Sequence, residues 1–568
     1  MMLPDQIADL ITTATRKAQK KGDLPRFQLP SVSVNRPKRP EQGDWSCALP
    51  LQIVRDVNEA LKARDAGKLS PVQIGEIIVR RLPDNPYLER VEVVKPGFIN
   101  MFLSPEWLAA QAGEIVARGA DYYRLDKGQG KRVQVEFVSA NPTGPLHFGG
   151  ARNAAIGDTI ARLLENNGYR VQREYYINDR GTQMDIFGET LWRRYQQLHG
   201  IEVSIPEQGY PGAYMIEYAR KVQAQYGDSL LSLSDEEAIP KFRKLGLEIV
   251  TAELADDLAQ MQVHFDNWFS ESSLYEDGTF DHVAAILREN GDLYVKDDAV
   301  WFRASKYLPK SDRDEVFIRS NGEPGYYASD VAYHYNKFVT RGFDWVINVW
   351  AVDHQNQAAR MPAMLKALGI DPDRLTIVLY DLVTLKRGGK EVKISKRSGE
   401  LITMREVLDE VGSDAARFLL LSHSNEARID FDIELAVAQN SENPVYYVQY
   451  AHARVSSILR KAAAQGLEPD DAELNLLTHP TELALLHKML QLPEVVNDAI
   501  DRLAPHHLPH YALELAKTFT KFYDACRVLS DDPADAALSR ARLTLVKATQ
   551  ITLAYLLHLM GMNAPESM

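Results

Sequence analysis

Residues 141–150 read NPTGPLHFGG, set between RVQVEFVS (132–139) and ARNAAIGDTIARLLENNG (151–168). Before the stretch, Val133, Val135 and Phe137 alternate, which predicts a strand ending near Ser139. After it, Ile156, Ile160, Leu163 and Leu164 fall at i, i+4, i+7 and i+8, one face of a helix, and Gly168 stands where a C-terminal cap belongs. RVQREYYIND (170–179) predicts a second strand, so residues 132–179 make a βαβ unit with parallel strands and a right-handed crossover. DWVINVW (344–350) and RLTIVLY (374–380) predict two more strands. Residues 126–435 are therefore expected to fold as an α/β domain, a doubly wound, Rossmann-like parallel sheet with a mixed insertion at about 190–300.

On either side the grammar changes. In residues 1–125, SVSVNRP and VEVVKPGFINMFLS alternate like strands and PVQIGEIIVRRL has helical spacing, which predicts an N-terminal α+β domain. DKGQGKR (126–132) has the glycines and charges of a linker. Residues 436–568 carry successive amphipathic segments and no strand pattern, as a C-terminal all-α helical bundle would. A chain of 568 residues is too long for one core, which agrees with several domains.

Composition narrows the setting. No run of eighteen apolar residues occurs, so no membrane-spanning helix is expected. The opening MMLPDQIADLITTATRKAQKKG reads as an amphipathic helix rather than a signal peptide. Cys47 and Cys526 are the only cysteines, which argues against disulfide frameworks and cysteine-rich zinc sites and for the cytoplasm. The net charge of −13 argues against an all-over nucleic-acid-binding coat while leaving room for a local basic face. HHLPH (506–510) has the look of a metal tract and is read as the opening of a helix.

In open α/β sheets ligands bind beyond the carboxyl ends of the strands, and NPTGPLHFGG holds that place for the first strand. The helix after it aims free N–H groups there, Gly149 and Gly150 let a flat or charged group lie against the backbone, and His147 offers a donor to a phosphate oxygen. Alone, the stretch is either a connector or an anion cradle. It is not G-x-G-x-x-G, which counts against a dehydrogenase. KRGGKEVKISKR (386–397) adds six basic residues and one acidic residue near the same sheet, suited to charge developing on a transferring phosphoryl or nucleotidyl group.

These residues resemble a known family. NPTGPLHFGG is similar to the HIGH element of class I aminoacyl-tRNA synthetases, and VKISKRSG to their KMSKS loop. SANPTGPLH with GARNAAIGD, EYYINDRGTQ, the Y-x-x-x-D of YYASDVAYHYNK and NPVYYVQYAHARVSSILRKA resemble arginyl-tRNA synthetases in particular, across essentially the whole chain. The resemblance implies ATP-dependent ligation of L-arginine to tRNA(Arg) through an arginyl-adenylate, with Mg²⁺ accompanying ATP and no zinc. It implies catalytic roles for His147, Lys393, Lys396 and Arg397, and an ATP site made by Pro142, Thr143, Gly144, His147, Gly149, Gly150 and Lys396. One departure stands out: the HIGH element closes on a second histidine, and this chain has Gly150 there.

A guanidinium is a planar, permanently charged fork of donors, so its pocket needs carboxylates and an apolar or aromatic wall. Candidates at strand ends are Glu174, Asn178, Asp179 and Gln183; Tyr326 and Asp330, four apart on a helical turn; and Asp353, His354 and Gln357 after DWVINVW. Asn141 would hold the substrate's α-amino or carboxylate group. Asp179 could instead cap a helix, and Asp353 with His354 could be a structural pair. For tRNA, exposed aromatics and cations are needed, and Tyr446, Tyr447, Tyr450, Arg454 and Arg460 are the candidates, with QGDW (42–45) as the contact loop of the first domain. No long heptad seam is present, so a monomer is expected. The alternatives are another class I ligase or nucleotidyltransferase, or a non-catalytic RNA-binding paralogue.

Overall fold

A computed structural model describes residues 2–308, 314–392, 402–469, 472–530 and 532–568. Strands β1 (Arg132–Glu136), β2 (Arg170–Ile177), β3 (Asn267–Ser270), β4 (Trp345–Ala351) and β5 (Leu375–Tyr380) form one parallel sheet in the order β5-β4-β1-β2-β3. The chain starts at β1, winds outward to β3, then returns across β1 to β4. The crevice between β1 and β4 is thus the switch point, where the connections leave in opposite directions and a ligand can enter.

Helix α1 (Phe148–Glu165) follows β1, with Ile156, Ile160, Leu163 and Leu164 all buried and Gly168 left-handed just past its end at φ +85°. Helix α2 (Thr182–Leu198) follows β2. Helices α3 (Ala213–Tyr226) and α4 (Asp235–Gln260) then pack beside α2 before the chain re-enters the sheet. The expected insertion at 190–300 is therefore divided: β3 lies within it and belongs to the main sheet. NWFS is too short to show alternation, so its strand was not legible. A three-stranded antiparallel sheet (Leu293–Lys296, Ala299–Phe302, Glu315–Ile318) precedes helix α5 (Tyr326–Tyr335), which leads towards β4. Beyond β5 come α6 (Met404–Val411) and α7 (Ser413–Leu421).

The C-terminal bundle is α8 (Pro444–Ala464), α9 (Pro480–Met489), α10 (Leu492–Asp501), α11 (His507–Ala525) and α12 (Ala536–Leu559), and HHLPH does open α11. The N-terminal unit packs helices Leu3–Lys21, Leu49–Lys62 and Pro71–Val79 on an antiparallel sheet of Trp45–Cys47, Phe98–Leu103 and Leu88–Val94. SVSVNRP is not a strand; one bridge, Asn35 to Ser46, is all it contributes, because prolines break the ladder on both sides. Nor is DKGQGKR loose. Gly128 and Gly130 donate to the carbonyls of Asn167 and Gly168 at 2.9 and 2.7 Å, and Lys127 reaches Asn497 (2.7 Å) and Asp501 in the bundle.

One ionic knot ties these layers together. Arg417 of α7 is fully buried and donates to the carboxylate of Asp158 (2.6 Å) in α1 and to the carbonyls of Met261 (2.7 Å) and Met560 (2.6 Å). Asp158 also takes Arg162 at 2.7 Å. Burial would raise the Asp158 pKa, but Arg417, Arg162 and Arg173 overcome it and hold the carboxyl below its ordinary value.

Candidate active site

The site starts where β1 ends. Val138 and Ser139 are both left-handed, at φ +66° and +41°, a region a β-branched residue rarely enters. Asn153 of α1 holds them: its Oδ1 accepts from Val138 N–H (2.9 Å) while its Nδ2 donates to the Val349 carbonyl of β4 (3.1 Å). This kink throws residues 141–150 over the switch point. His147 occupies the N-cap position of α1 with an exposed ring, and partial burial lowers its pKa, so the imidazole is neutral at pH 7. Gly149 is exposed, at the helix N-terminus where unpaired N–H groups favour an anion.

Lys393, Lys396 and Arg397 lie outside the described residues. The segment 402–404, just C-terminal to them, is tied to the histidine turn by its backbone. Phe148 N–H donates to the Ile402 carbonyl (3.3 Å) and Met404 N–H to the Leu146 carbonyl (2.7 Å), an antiparallel bridge centred on His147 and Thr403. Thr403 then caps α6 through a reciprocal pair with Glu406.

Gly150 has a steric reason. A Cβ there would fall 2.8 Å from Leu146 Cδ1 and 2.9 Å from its Cγ, and Leu146 is buried. Gly150→His is accordingly expected to cost about 1–3 kcal/mol through forced repacking of Leu146. Urea denaturation beside a pyrophosphate-exchange assay checks this; a variant as stable as the parent and faster would show the histidine is merely missing.

Next to the turn lies a cavity of about 330 Å³ lined by Asn178, Gln183, Glu271, Tyr275, Gly325 and Ser329, among others. Asn141 Nδ2 donates to Gln183 Oε1 at 3.2 Å, linking turn and cavity. Ser329 hydrogen-bonds Tyr275 (2.8 Å), and burial raises the Glu271 pKa. Asp330, beside Ser329, accepts from the Gln357 side-chain amide, and Gln357 in turn meets His354 Nδ1 at 3.3 Å. Burial first, then the charge of Glu136, pushes the Asp330 carboxyl up to about 7. Tyr326 is the first residue of α5, one turn before Asp330. Asp353 and His354 are exposed, with Asp353 Oδ1 3.9 Å from His354 Nε2.

Two candidates are placed differently. Glu174 lies within β2 rather than at its end, fully buried, and the chain's own Arg341 engages it (Nη2–Oε1 2.8 Å) with Tyr333, Gln134 and Asn267 taking its remaining lone pairs. No oxygen is left for a substrate guanidinium. Asp179 accepts from Ser270 Oγ (2.5 Å) and from Ser272 N and Oγ (2.9 and 3.0 Å), so it braces the turn after β3.

Beneath the cavity is a buried network with no counterpart among the sequence candidates. Lys337 Nζ donates to Glu136 (2.6 Å) and to Asn348 Oδ1 (3.0 Å), and Asn348 Nδ2 contacts His334 Nε2 (3.0 Å), while His334 Nδ1 donates to the Asp330 carbonyl (2.8 Å). Burial lowers the His334 pKa, which leaves its ring neutral. Gln134 and Glu136, polar residues alternating with Val133 and Val135 in a strand buried on both faces from Val133 onward, were the signal for it.

In the bundle, Tyr446 and Tyr450 stack at 6.0 Å, and the Arg454 guanidinium sits 4.8 Å from the rings of both Tyr450 and Tyr523. Tyr447 turns inward to Thr520 (3.0 Å), and Arg460 holds the Glu566 carbonyl (3.0 Å). QGDW is not an open contact loop either. Trp45 is buried, and Asp44 accepts from Leu103 N–H (2.7 Å) and faces His487 of α9 (3.3 Å). Among the described residues no helix is long and apolar enough to cross a membrane, and no group of three or more His, Cys, Asp or Glu could hold a metal.

Residues 112–454 match the family model described as tRNA synthetases class I (R), catalytic domain, so the sheet, the histidine turn and the adjoining cavity are those of a class I aminoacyl-tRNA synthetase. Residues 5–103 match the arginyl tRNA synthetase N terminal domain and residues 448–568 the DALR anticodon binding domain. The chain belongs to the arginyl-tRNA synthetase family. It is 44% identical over 562 residues to the arginine–tRNA ligase of Dehalococcoides mccartyi (strain CBDB1), covering 99% of this chain and 98% of that one. The arginine–tRNA ligase of Carboxydothermus hydrogenoformans is 44% identical over 556 residues, 97% of each chain. Thermus thermophilus arginyl-tRNA synthetase has a TM-score of 0.74 at 25% identity, covering 100% of both chains.

Proposed function

We propose a division of labour for the ligation of L-arginine to tRNA(Arg), the reaction of this enzyme. An arginine carboxylate oxygen attacks the α-phosphorus of ATP, the bond to the β-phosphate breaks, and pyrophosphate leaves with the electron pair. A ribose hydroxyl at the tRNA terminus then attacks the carbonyl carbon, and AMP departs. ATP arrives as its magnesium complex. His147, Gly149 and Gly150 with Pro142, Thr143 and Gly144 form the phosphate floor, and Lys393, Lys396 and Arg397 neutralise the pyrophosphate.

The observation that carries the reading is the Asn141–Gln183 hydrogen bond, which sets a polar cavity containing Glu271 directly beside the anion-binding turn. Asn141, Asn178 and Gln183 would orient the α-amino and carboxylate groups. Asp330, supported by Gln357, would face the guanidinium, with Tyr326 on its helix and Glu271 on the opposite side. Asp353 and His354 would frame the entrance. Tyr446, Tyr450 and Arg454 would meet the tRNA anticodon region. We place the enzyme in the cytoplasm and as a monomer, in keeping with two unpaired cysteines and the lack of a heptad seam.

Charging total tRNA with each amino acid in turn tests the function, and charging by anything other than arginine would sink it. The pocket assignment has its own readout. A carboxyl pushed up to about 7 is largely protonated at pH 6 and ionised at pH 8, and only the ionised form pairs with a guanidinium. The KM for arginine should therefore fall as pH rises through 7, with proton release on binding. Asp330→Asn should flatten that dependence and raise KM by roughly ten- to a hundredfold, the worth of a charged hydrogen bond of about 1.5–3 kcal/mol.

A further inference from the structure

Helix α5 and the π-helical turn that extends it (Asn336–Thr340) carry Asp330, His334 and Lys337 four and three residues apart, along one stripe. Such π-helical turns are rare and gather at functional sites. Lys337 Nζ donates to the Glu136 carboxylate at the end of β1 (2.6 Å) and to Asn348 Oδ1 in β4 (3.0 Å), and it lies 4.1 Å from the centre of the Tyr333 ring. Asn348 Nδ2 donates in turn to His334 Nε2 (3.0 Å), and His334 Nδ1 donates to the carbonyl of Asp330 itself (2.8 Å). Lys337, Asn348 and His334 are each at most 1% exposed.

Packing alone gives no reason for this chain of polar groups, because burying a charge is costly and apolar side chains would fill the same space. Both of its ends lead to the site. One is the main chain of Asp330. The other is Glu136, which also accepts from Ser139 Oγ (3.2 Å) in the kink that launches the histidine turn.

The charges point the same way. The Asp330 carboxyl is acted on by Glu136 from β1, Glu271 from the segment after β3, the Gln357 amide from beyond β4, and Lys337. The phenols of Tyr176 in β2, Tyr275 beyond β3 and Tyr327 on α5 surround it as well. His334 is neutral, so among these groups Lys337 is the cation. Burial raises the Asp330 carboxyl most, Glu136 adds to it, and Lys337 opposes both. Without that ammonium the Asp330 and Glu136 carboxyls share a dry site, and like charges there resist ionising together.

We propose that Lys337 is a positioning residue for arginine binding: by pairing with Glu136 and, through Asn348 and His334, tethering the main chain of Asp330, it keeps the Asp330 carboxylate charged and in place for the substrate guanidinium. This rests on the assignment of Asp330 to that guanidinium.

The test is the KM for arginine against pH, read by pyrophosphate exchange with the full-length enzyme at saturating ATP and tRNA(Arg). In wild type the midpoint should lie at about 7. Lys337→Met keeps most of the side chain and drops the charge. It should move the midpoint up by about one unit or more, which raises KM about tenfold at pH values below both midpoints. Glu136→Gln alone should move the midpoint down. The double variant Lys337→Met/Glu136→Gln should bring it back to the wild-type value or below. Its KM at high pH should nevertheless stay above wild type, because Asn348 Oδ1 has lost its donor. The KM for ATP should hold in all three.

An unmoved midpoint in folded Lys337→Met overturns the inference. So does a KM that rises equally at every pH and is not relieved by Glu136→Gln, the mark of a merely structural lysine. Should Lys337→Met fail to fold, Glu136→Gln carries the test by itself, and a midpoint that does not fall overturns the inference. A wild-type KM indifferent to pH, or a pH dependence that survives Asp330→Asn, removes the pocket assignment and this inference together. A dependence lost in Asp330→Asn yet untouched by Lys337→Met or Glu136→Gln removes this inference alone.

Discussion

Arg417→Ala is expected to destabilise the fold by about 3–5 kcal/mol, because it strips one charge partner from a buried carboxylate and empties the space of a fully buried side chain. The carboxylate is that of Asp158, 1% exposed, and the carbonyls of Met261 and Met560 lose their donor in the same step. Arg162 at 2.7 Å and Arg173 at 3.3 Å would remain on that carboxylate. Urea denaturation gives the cost directly. Acid should act through the same group. Since the folded-state pKa of Asp158 is held below its unfolded value, the stability it contributes is present above the ordinary carboxylate range of about 4 and is lost as pH falls through the depressed value. In Arg417→Ala that acid limb should shrink. A variant that unfolds at the parent's urea midpoint would show the knot to be energetically idle.

His147→Ala should leave the fold intact and lower the rate of adenylate formation roughly a hundred- to a thousandfold, the scale for removing one donor aimed at developing charge. The ring is exposed, so its loss opens no cavity, and it caps α1 only through its backbone, since no side-chain bond is made there. With its pKa lowered by burial, it would act as a hydrogen-bond donor rather than as a cation. Single-turnover adenylate formation should show the deficit in the chemical step, with the KM for arginine barely moved. A rise in KM for arginine with the rate unaltered would reassign the residue to substrate binding.

Much of this was legible in the sequence, for reasons that differ from element to element. β1, α1, β2, β4 and β5 carried periodicities long enough to read, and local rules of burial produced them. β3 has four residues, and strand pairing at a sheet edge, not its own pattern, makes it a strand. Side-chain partners across large separations were hidden. Nothing near Glu174 announces that Arg341 will fill its carboxylate, nor does Asp179 advertise the serines of β3 and its turn. Trp45 and Asp44 looked like a contact loop because aromatic and acidic residues beside a glycine suit one, but the core of the N-terminal unit claimed Trp45, and Leu103 N–H and His487 of the bundle claimed Asp44. The turn at 141–150 was readable as a cradle; that Tyr210 and Tyr214 wall one side of it was not, because they approach from an insertion.

The bridge between residues 146–148 and 402–404 is made of main-chain groups only. Peptide N–H and carbonyl groups are common to every residue type but proline, which lacks the donor. The hydrogen bonds of the seam are therefore blind to side-chain identity, whereas gaining or losing a single residue in the segment would misregister them. In a mutational library, a change of spacing here should be punished whatever residue is gained or lost, apart from the separate demands on His147 and on the buried Leu146, Phe148 and Met404.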